Sequence, residues 1–304
     1  MSEIVNQIII GIQMGSIYAL VALGYTMVYG IIKLINFAHG DFIMVACFML
    51  YTFIIILKLP AILGLILAIL IIIIIGVLTE RVAYRPLRKK KSPTITALIT
   101  AIAVSLILEN LFQLLFGSDS KMYPDLIKQT TINIGKISVS NISLITIIVS
   151  IVTMILLTLF IKKTKVGKAM RAVSENSDAA QLMGINVDRT ISITFIIGTF
   201  LAGIAAIMYY MKYLKIEPFL GSNLGLYAFV AAVVGGIGSI PGACVGGFLI
   251  GIIKVLPNIM SINSSYADIF LFGLLIIILI FKPTGIFGKN IGEKVWLCKE
   301  VIIH

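Results

Sequence analysis

Three polar residues, Asn36, His39 and Asp41, follow the first apolar stretch of the chain, with Gly40 among them. A histidine beside a carboxylate is typical of acid–base catalysis, but no nucleophile stands near this pair, so the segment does not predict an enzyme. Gly40 permits irregular backbone, which is tolerated at membrane depth only where protein or a water-filled cavity receives its polar groups. Two interpretations stay open: a broken helix whose polar elbow lines a translocation path, or an interfacial turn with solvated side chains.

A second polar group, Glu109 and Gln113, lies in the mostly apolar stretch 93–116. The two residues are one helical turn apart, so they predict a polar stripe on one helix face. An ionised side chain at the bilayer centre costs about 2.5–3.5 kcal/mol on insertion scales and usually faces the interior of a bundle. The stripe fits a cavity lining or a proton relay, and it equally fits a structural hydrogen bond or a position near the outer end of the helix.

A glycine-rich segment interrupts the apolar stretch 224–256, at Gly236, Gly238, Ser239 and Pro241. Broken helices in transporters expose half-helix ends near the middle of the membrane, where a zwitterionic substrate can meet them. Closely spaced glycines also serve tight helix packing. Both interpretations stay open. Ser239, Ile240 and Pro241 predict a local break, so the stretch is expected to divide into two short segments.

The sequence predicts no metal site and no cofactor. The three cysteines, Cys47, Cys244 and Cys298, include no CxxC motif and no Cys/His metal spacing, so we interpret them as small apolar residues. The second histidine, His304, is at the far C-terminus, which argues further against a membrane enzyme built on His39.

The composition requires helices that lie in lipid. Of the 304 residues 60% are hydrophobic and 12% charged, against about 25% charged in soluble domains, and the mean hydropathy is +1.11. About 20 apolar residues in a helix span the hydrocarbon of a bilayer. We therefore predict an all-α, polytopic transmembrane helix bundle of about 8–9 crossings with broken or re-entrant helices. The mainly apolar stretches are 4–32, 42–57, 59–79, 93–116, 142–161, 190–211, 224–256 and 266–281.

Basic residues predict the orientation of these helices. The net charge is +11, and half of the 24 Lys and Arg residues fall in two short connections, 81–91 and 162–189. Clusters of this kind beside apolar spans are typical of cytoplasmic loops. They do not form aromatic-interleaved basic faces, so nucleic-acid binding is not predicted. The loop 117–141 is then extracytoplasmic and the N-terminus outside, with a small β-hairpin predicted over 131–140 that turns at Gly135 and Lys136.

The C-terminal tail requires an odd number of crossings. Its lysines favour the cytoplasm, whereas eight crossings from an outside start end outside. Division of 224–256 into two segments supplies the additional crossing or a re-entrant piece. The basic residues that carry these orientation predictions are Arg81, Arg85, Arg88, Lys89, Lys90, Lys91, Lys162, Lys163, Lys165, Lys168, Arg171, Arg189, Lys282, Lys289, Lys294 and Lys299.

The connection 162–189 predicts two short helices. Val166, Ala169, Met170 and Val173 recur at i, i+3, i+4 and i+7 and form one apolar face. Ser174 and Ser177 are predicted N-caps, and Gly184 is a natural helix stop. Acidic and amide residues in its second half suit docking to a soluble protein better than to anionic lipid, although a helix resting on headgroups is the alternative.

Several motifs resemble the branched-chain amino acid ABC transporter permeases, the leucine/isoleucine/valine type. They run in that family's order along nearly the whole chain. They are GSIYAL at 15–20, GYTMVYG at 24–30, INFAHG at 35–40, ERVAYRP at 80–86, MGINVDR at 183–189 and GGIGSIPG at 235–242.

The resemblance implies a single permease domain over 1–304, in a bacterial inner membrane, that performs no chemistry itself. It implies two cytoplasmic ATPase subunits, a second permease subunit and an external substrate-binding protein as partners, with lipid around the bundle. It also implies that 162–189 couples to the ATPases, through Arg171, Glu175, Ala179, Ala180, Gly184 and Ile185. Glu109 departs from the family pattern, which favours an uncharged amide.

The rival prediction is an ion-coupled secondary transporter that uses Glu109 or Asp41.

Overall fold

The computed structural model describes residues 2–33, 36–90, 92–126, 128–134 and 137–288, and most of them are helical. The long helices alternate with short connections, as expected for a chain that crosses a membrane repeatedly. The helices are α1 Ser2–Ile32, α2 His39–Tyr51, α3 Ala61–Thr79, α4 Arg85–Lys89, α5 Thr94–Phe116, α6 Asn141–Lys163, α7 Lys165–Glu175, α8 Ser177–Leu182, α9 Val187–Tyr213, α10 Leu220–Gly235, α11 Ile240–Lys254, α12 Leu256–Ile259 and α13 Ala267–Phe281. Helix α2 continues as a π-helical turn over Thr52–Ile56, and α3 continues as another over Glu80–Tyr84.

Burial divides the bundle into a core and a periphery. Helices α1, α2, α9 and α10 are largely buried, and they contain large enclosed side chains such as Phe42, Phe195 and Tyr210. Helices α3, α5, α6 and α13 expose most of their apolar residues; Leu114 is 85% and Ile280 71% exposed. Apolar surface of this extent needs lipid as its solvent.

The predicted all-α, multi-pass membrane fold is confirmed. Within the described residues, eight helical segments are long and apolar enough to cross a membrane, and α10 is a shorter apolar helix. The predicted division of 224–256 is confirmed too, because α10 ends at Gly235 and α11 begins at Ile240. Positive φ angles at Gly236 and Gly238 make the break. Pro241 does not cause it, since the proline lies in the first turn of α11, where its missing N–H is no loss.

Small residues bring α1 and α11 together. A Cβ placed on Gly15 would lie 2.7 Å from the Phe248 backbone, and one on Gly11 would lie 3.0 Å from the Gly251 carbonyl oxygen. Helices in membranes approach this closely where glycines recur every fourth residue. The packing interpretation of the glycine-rich segment therefore holds for its C-terminal part, where Gly247 contacts Ala19 of α1.

Two small sheets lie at the end of the bundle opposite α7 and α8. Strands β2 Thr131–Ile134 and β3 Ile137–Ser140 pair antiparallel and confirm the predicted hairpin. Strand β1, Lys121–Met122, pairs antiparallel with β4, Lys215–Ile216, and so ties the long loop after α5 to the end of α9.

Several residues that the sequence singles out lie outside the described part of the chain. They are Ile35, Lys91, Gly135, Lys136, Lys289, Lys294, Cys298, Lys299 and His304.

Candidate translocation and coupling sites

Helix α2 begins inside the bundle. Its first residue, His39, lies against Gly24, which is eight residues and therefore about 12 Å before the end of α1. Asn36, His39 and Asp41 are 3%, 1% and 0% exposed. The interpretation of this segment as a solvated interfacial turn is therefore wrong. The chain folds back into the protein, which receives the irregular backbone ahead of α2.

Polar and aromatic neighbours hold Asn36 and His39. The Tyr84 hydroxyl donates a hydrogen bond of 2.8 Å to the side-chain oxygen of Asn36. The His39 ring packs edge-on against Tyr25, with centroids 5.2 Å apart. Gly24 is required here, because a Cβ on it would overlap the imidazole of His39.

Gly40 lets α2 touch α10. A Cβ on Gly40 would meet the Gly221 carbonyl oxygen and lie 2.7 Å from Cα of Gly225. The two helices therefore cross backbone to backbone at this point. The crossing places the next residue, Asp41, directly against the first turn of α10.

Asp41 and Glu109 are neighbours, although 68 positions separate them in the sequence. The Ser105 hydroxyl donates to Oδ2 of Asp41, and the Ser222 hydroxyl donates to Oε1 of Glu109. Ser105 stands one helical turn before Glu109, and Ser222 follows Gly221, which lies against Asp41, so the two carboxyl groups are close to each other. We call Asp41, Ser105, Glu109 and Ser222 the acidic cluster. It joins α2, α5 and α10, and its Glu109 is 4% exposed.

Gln113 does not join this cluster. Its side-chain amide donates a hydrogen bond of 2.9 Å to the Ser118 hydroxyl, beyond the end of α5. The predicted Glu109–Gln113 stripe is therefore divided, because Glu109 turns toward α2 and α10 whereas Gln113 closes the helix end. Ser105 joins the cluster instead of Gln113. The four-residue spacing from Ser105 to Glu109 places the two on one helix face, and this was the sequence signal that could have identified Ser105.

The break between α10 and α11 lies away from the acidic cluster. Gly238 approaches Gly30, in the last turn of α1, and a Cβ on Gly236 would lie 2.5 Å from the Gly288 nitrogen. Ser239 is the N-cap of α11 and accepts a hydrogen bond of 3.3 Å from the Gly242 N–H. Because α1 ends at Ile32, the break lies near an end of the bundle. The expectation of half-helix ends near the midplane is wrong.

The connection 162–189 forms the two predicted short helices, α7 and α8. Met170 and Val173 are buried, which confirms the apolar face of α7. The predicted serine caps are wrong: Thr164 caps α7, and Asn176 caps α8 by accepting from the N–H groups of Asp178 and Ala179. Asparagine is as good an N-cap as serine, and its position one residue before Ser177 decides where α8 starts.

Helix α8 presents an exposed apolar tip. Leu182 is 89% and Met183 82% exposed, and the sequence reasoning missed both as candidate contacts. Gly184 follows them with a φ of +82°, which stops the helix. Of the predicted coupling residues, Arg171, Glu175, Ala179 and Gly184 are exposed, Ile185 is half-buried and Ala180 is buried.

An ion-pair network fixes this end of the bundle. Asp188, at the start of α9, pairs with Arg85 at 2.8 Å and with Arg88. Arg88 also pairs at 3.3 Å with Glu80, which is fully buried and accepts a hydrogen bond of 2.9 Å from Ser192. The basic residues after α3 are therefore structural partners of α9. Beside the network, a cavity of about 960 Å³ opens between α8 and the ends of α1 and α4.

The chain is similar over nearly its whole length to known transport proteins. Residues 7–279 match the family described as branched-chain amino acid transport system / permease component. LivH of Salmonella typhimurium, a high-affinity branched-chain amino acid transport system permease protein, is 40% identical over 95% of this chain and 97% of its own. BraD of Pseudomonas aeruginosa, a permease protein of the same description, is 39% identical over the same shares. The chain belongs to this permease family.

More distant relatives extend the match. The probable branched-chain amino acid transport permease protein LivH of Methanocaldococcus jannaschii is 28% identical to the permease over 90% of each chain. No solved structure matches the permease. The resemblance predicted from the motifs is confirmed, and so is a role as a transport permease component. The ion-coupled alternative receives no support from these relatives.

Proposed function

We propose that this permease is the membrane subunit of an ATP-binding-cassette importer that carries branched-chain or related amino acids across the bacterial inner membrane. The observation that carries the proposal is the end-to-end similarity to permeases of branched-chain amino acid transport systems. The subunit performs no chemistry; two cytoplasmic ATPase subunits hydrolyse the ATP. A second permease subunit, homologous or identical, and an extracytoplasmic substrate-binding protein complete the transporter.

The proposed orientation follows from the basic residues. Positively charged loops stay in the cytoplasm, so the end with α4, α7 and α8 is the cytoplasmic one. The loop 117–141, with its hairpin and its β1–β4 contact, is then extracytoplasmic and faces the substrate-binding protein. The segment 162–189 faces the ATPases.

We propose that α7 and α8 couple the permease to an ATPase subunit. The apolar face of α7 packs against the bundle and holds the segment in place. Leu182 and Met183 expose two apolar side chains, which a groove on a soluble partner can bury. The remaining proposed coupling residues lie along the same segment: Arg171, Glu175, Ala179, Ala180, Gly184 and Ile185. ATP binding drives transport because the ATPases hold one state of the bundle more tightly than the other.

The proposed translocation path runs along the buried polar residues. Asn36, His39 and Asp41 with Glu109 form its middle. Gln113 stands toward the extracytoplasmic end, and the α10–α11 break stands at the cytoplasmic end, with Gly236, Gly238, Ser239 and Pro241. Buried polar groups inside a membrane bundle typically mark the route of a polar substrate.

Reconstitution tests the proposed function. The permease, its second permease subunit and the ATPases are placed in liposomes, the binding protein is added outside, and uptake of labelled leucine is measured with and without internal ATP. We expect uptake that requires ATP and the binding protein. Uptake by the permease alone, driven by a proton or sodium gradient, would falsify the proposal.

The tip of α8 supplies a prediction for the coupling contact. Replacing Leu182 and Met183 together by serine should lower co-purification of the ATPase subunits about tenfold or more, because burying each side chain contributes about 1.5–3 kcal/mol. The matched control, Leu182→Met with Met183→Leu, keeps the apolar surface and should retain the ATPases. Equal recovery of ATPase with the serine variant would show that the contact lies elsewhere.

A further inference from the structure

The acidic cluster holds two buried carboxyl groups without a cationic side chain beside them, among the described residues. Three acidic residues of the described chain are almost fully buried: Asp41, Glu80 and Glu109. Glu80 is paired with Arg88. Among the described residues, no Lys, Arg or His lies within ion-pair distance of Asp41 or Glu109.

Asp41 also keeps an acceptor free. Its Oδ1 atom is buried and receives no hydrogen bond from any described residue, although the side chain is 0% exposed. A buried acceptor left in this way is destabilising, and more so when it is charged. Two adjacent carboxylates also repel each other, so either a shared proton or a positive group must neutralise the pair. The first turn of α2 and the two serines stabilise negative charge there without supplying that group.

One member of the cluster lies at the surface of the subunit. Glu109 and Asp41 lie beneath Ser222, which is exposed, as is its neighbour Asn223. Ser222 stands in the first turn of α10, where the Gly40 crossing holds α2 and α10 together. These exposed hydroxyl and amide groups place polar surface beside the buried carboxyl pair.

We infer that the acidic cluster binds the α-ammonium group of the transported amino acid, and this inference rests on the proposed function. An ammonium has three N–H donors, and the cluster offers it the free Oδ1 of Asp41, the second oxygen of Glu109 and the Ser222 hydroxyl. Such charge-assisted hydrogen bonds are about twice as strong as neutral ones. The subsite thus recognises the part that all amino acids share and leaves side-chain selection to other contacts.

A labelling experiment on the assembled transporter, without the binding protein, tests this subsite. Asn223→Cys, which leaves all four residues of the acidic cluster in place, is introduced together with Cys298→Ser, since Cys47 and Cys244 are buried. A cationic thiol reagent then labels the complex in the presence of leucine, leucinol or 2-hydroxy-4-methylpentanoate. Leucinol keeps the ammonium and lacks the carboxylate; the hydroxy acid keeps the carboxylate and lacks the ammonium. Ser265→Cys, an exposed serine outside the cluster, is the matched control.

We expect leucine and leucinol to slow labelling at position 223, and the hydroxy acid to have no effect there. None of the three compounds should change labelling at position 265. Adding Glu109→Gln should raise the leucine concentration for half protection by about tenfold or more, since a hydrogen bond to a charged group contributes about 1.5–3 kcal/mol. Protection by the hydroxy acid, protection by none, or no labelling at position 223 each overturns the inference; protection by none indicates that protons alone neutralise the pair. Because labelling reports binding and the liposome assay reports ATP-driven uptake, the inference and the proposed function fail separately.

Discussion

Replacing Gly184 by proline is expected to abolish binding-protein-dependent leucine uptake while leaving membrane insertion intact. Gly184 has a φ of +82° and donates a hydrogen bond of 3.0 Å from its N–H to the Gln181 carbonyl. Proline fixes φ near −65° and has no N–H, so it removes both features. The turn after α8 must then rebuild, at a cost of about 1–3 kcal/mol in local strain. The tip formed by Leu182 and Met183 moves with it.

We expect Gly184→Pro to impair coupling to the ATPases and not folding, because Gly184 lies outside the packed bundle. A Cβ at this position would meet no described atom within 4 Å, so a side chain by itself causes no clash. Asparagine tolerates the left-handed backbone region far better than other residues, which makes Gly184→Asn the matched control. We expect uptake in the order glycine, asparagine, alanine, proline, with ATPase recovery following the same order.

Uptake in reconstituted liposomes and the yield of inserted protein are the two measurements. Full uptake by the proline variant would remove the assignment of 162–189 as the coupling segment. Loss of insertion by the same variant would contradict the view that this turn serves the ATPase contact and not the bundle.

Gly40→Ala is expected to destabilise the bundle itself. The added methyl group would meet the Gly221 carbonyl oxygen and the Gly225 backbone, and backbone atoms cannot rotate away as a side chain can. Helices α2 and α10 must separate, which typically costs about 1–3 kcal/mol for an overpacked core. The separation also pulls Asp41 away from the start of α10, so transport should fall together with stability.

Thermal unfolding of the purified permease in detergent measures this effect. Gly273→Ala, in α13, is the control, because a Cβ there would meet no described atom within 4 Å. Alanine favours a helix by about 0.5–1 kcal/mol over glycine, so the control should unfold at an equal or higher temperature. If the Gly40→Ala variant unfolded at the same temperature as the Gly273→Ala control, the backbones of α2 and α10 could not be as close as they are in the structure.

The sequence by itself determined the features that depend on short stretches of chain. Apolar length settled the membrane class and the positions of the long helices, because crossing a bilayer needs about 20 apolar residues in one run. The Gly/Pro segment 235–242 predicted the break between α10 and α11, although the structure assigns it to the glycines and not to Pro241. The spacing of Val166 to Val173 predicted the face of α7. The order of motifs from residue 15 to residue 242 predicted the family, which the relatives confirm.

Only the tertiary structure decided which polar residues meet. Glu109 has its partners on α2 and α10, and the crossing at Gly40 that brings them together depends on packing between segments more than 60 residues apart. The same packing buries His39 and Asp41, for which the sequence allowed either a solvated or a buried position. It also leaves Leu182 and Met183 exposed. Helix periodicity reports which residues share a face, but it does not report what that face packs against. In this protein the contact between α2 and α10 positions the acidic cluster, and glycines allow it because they let the two backbones touch.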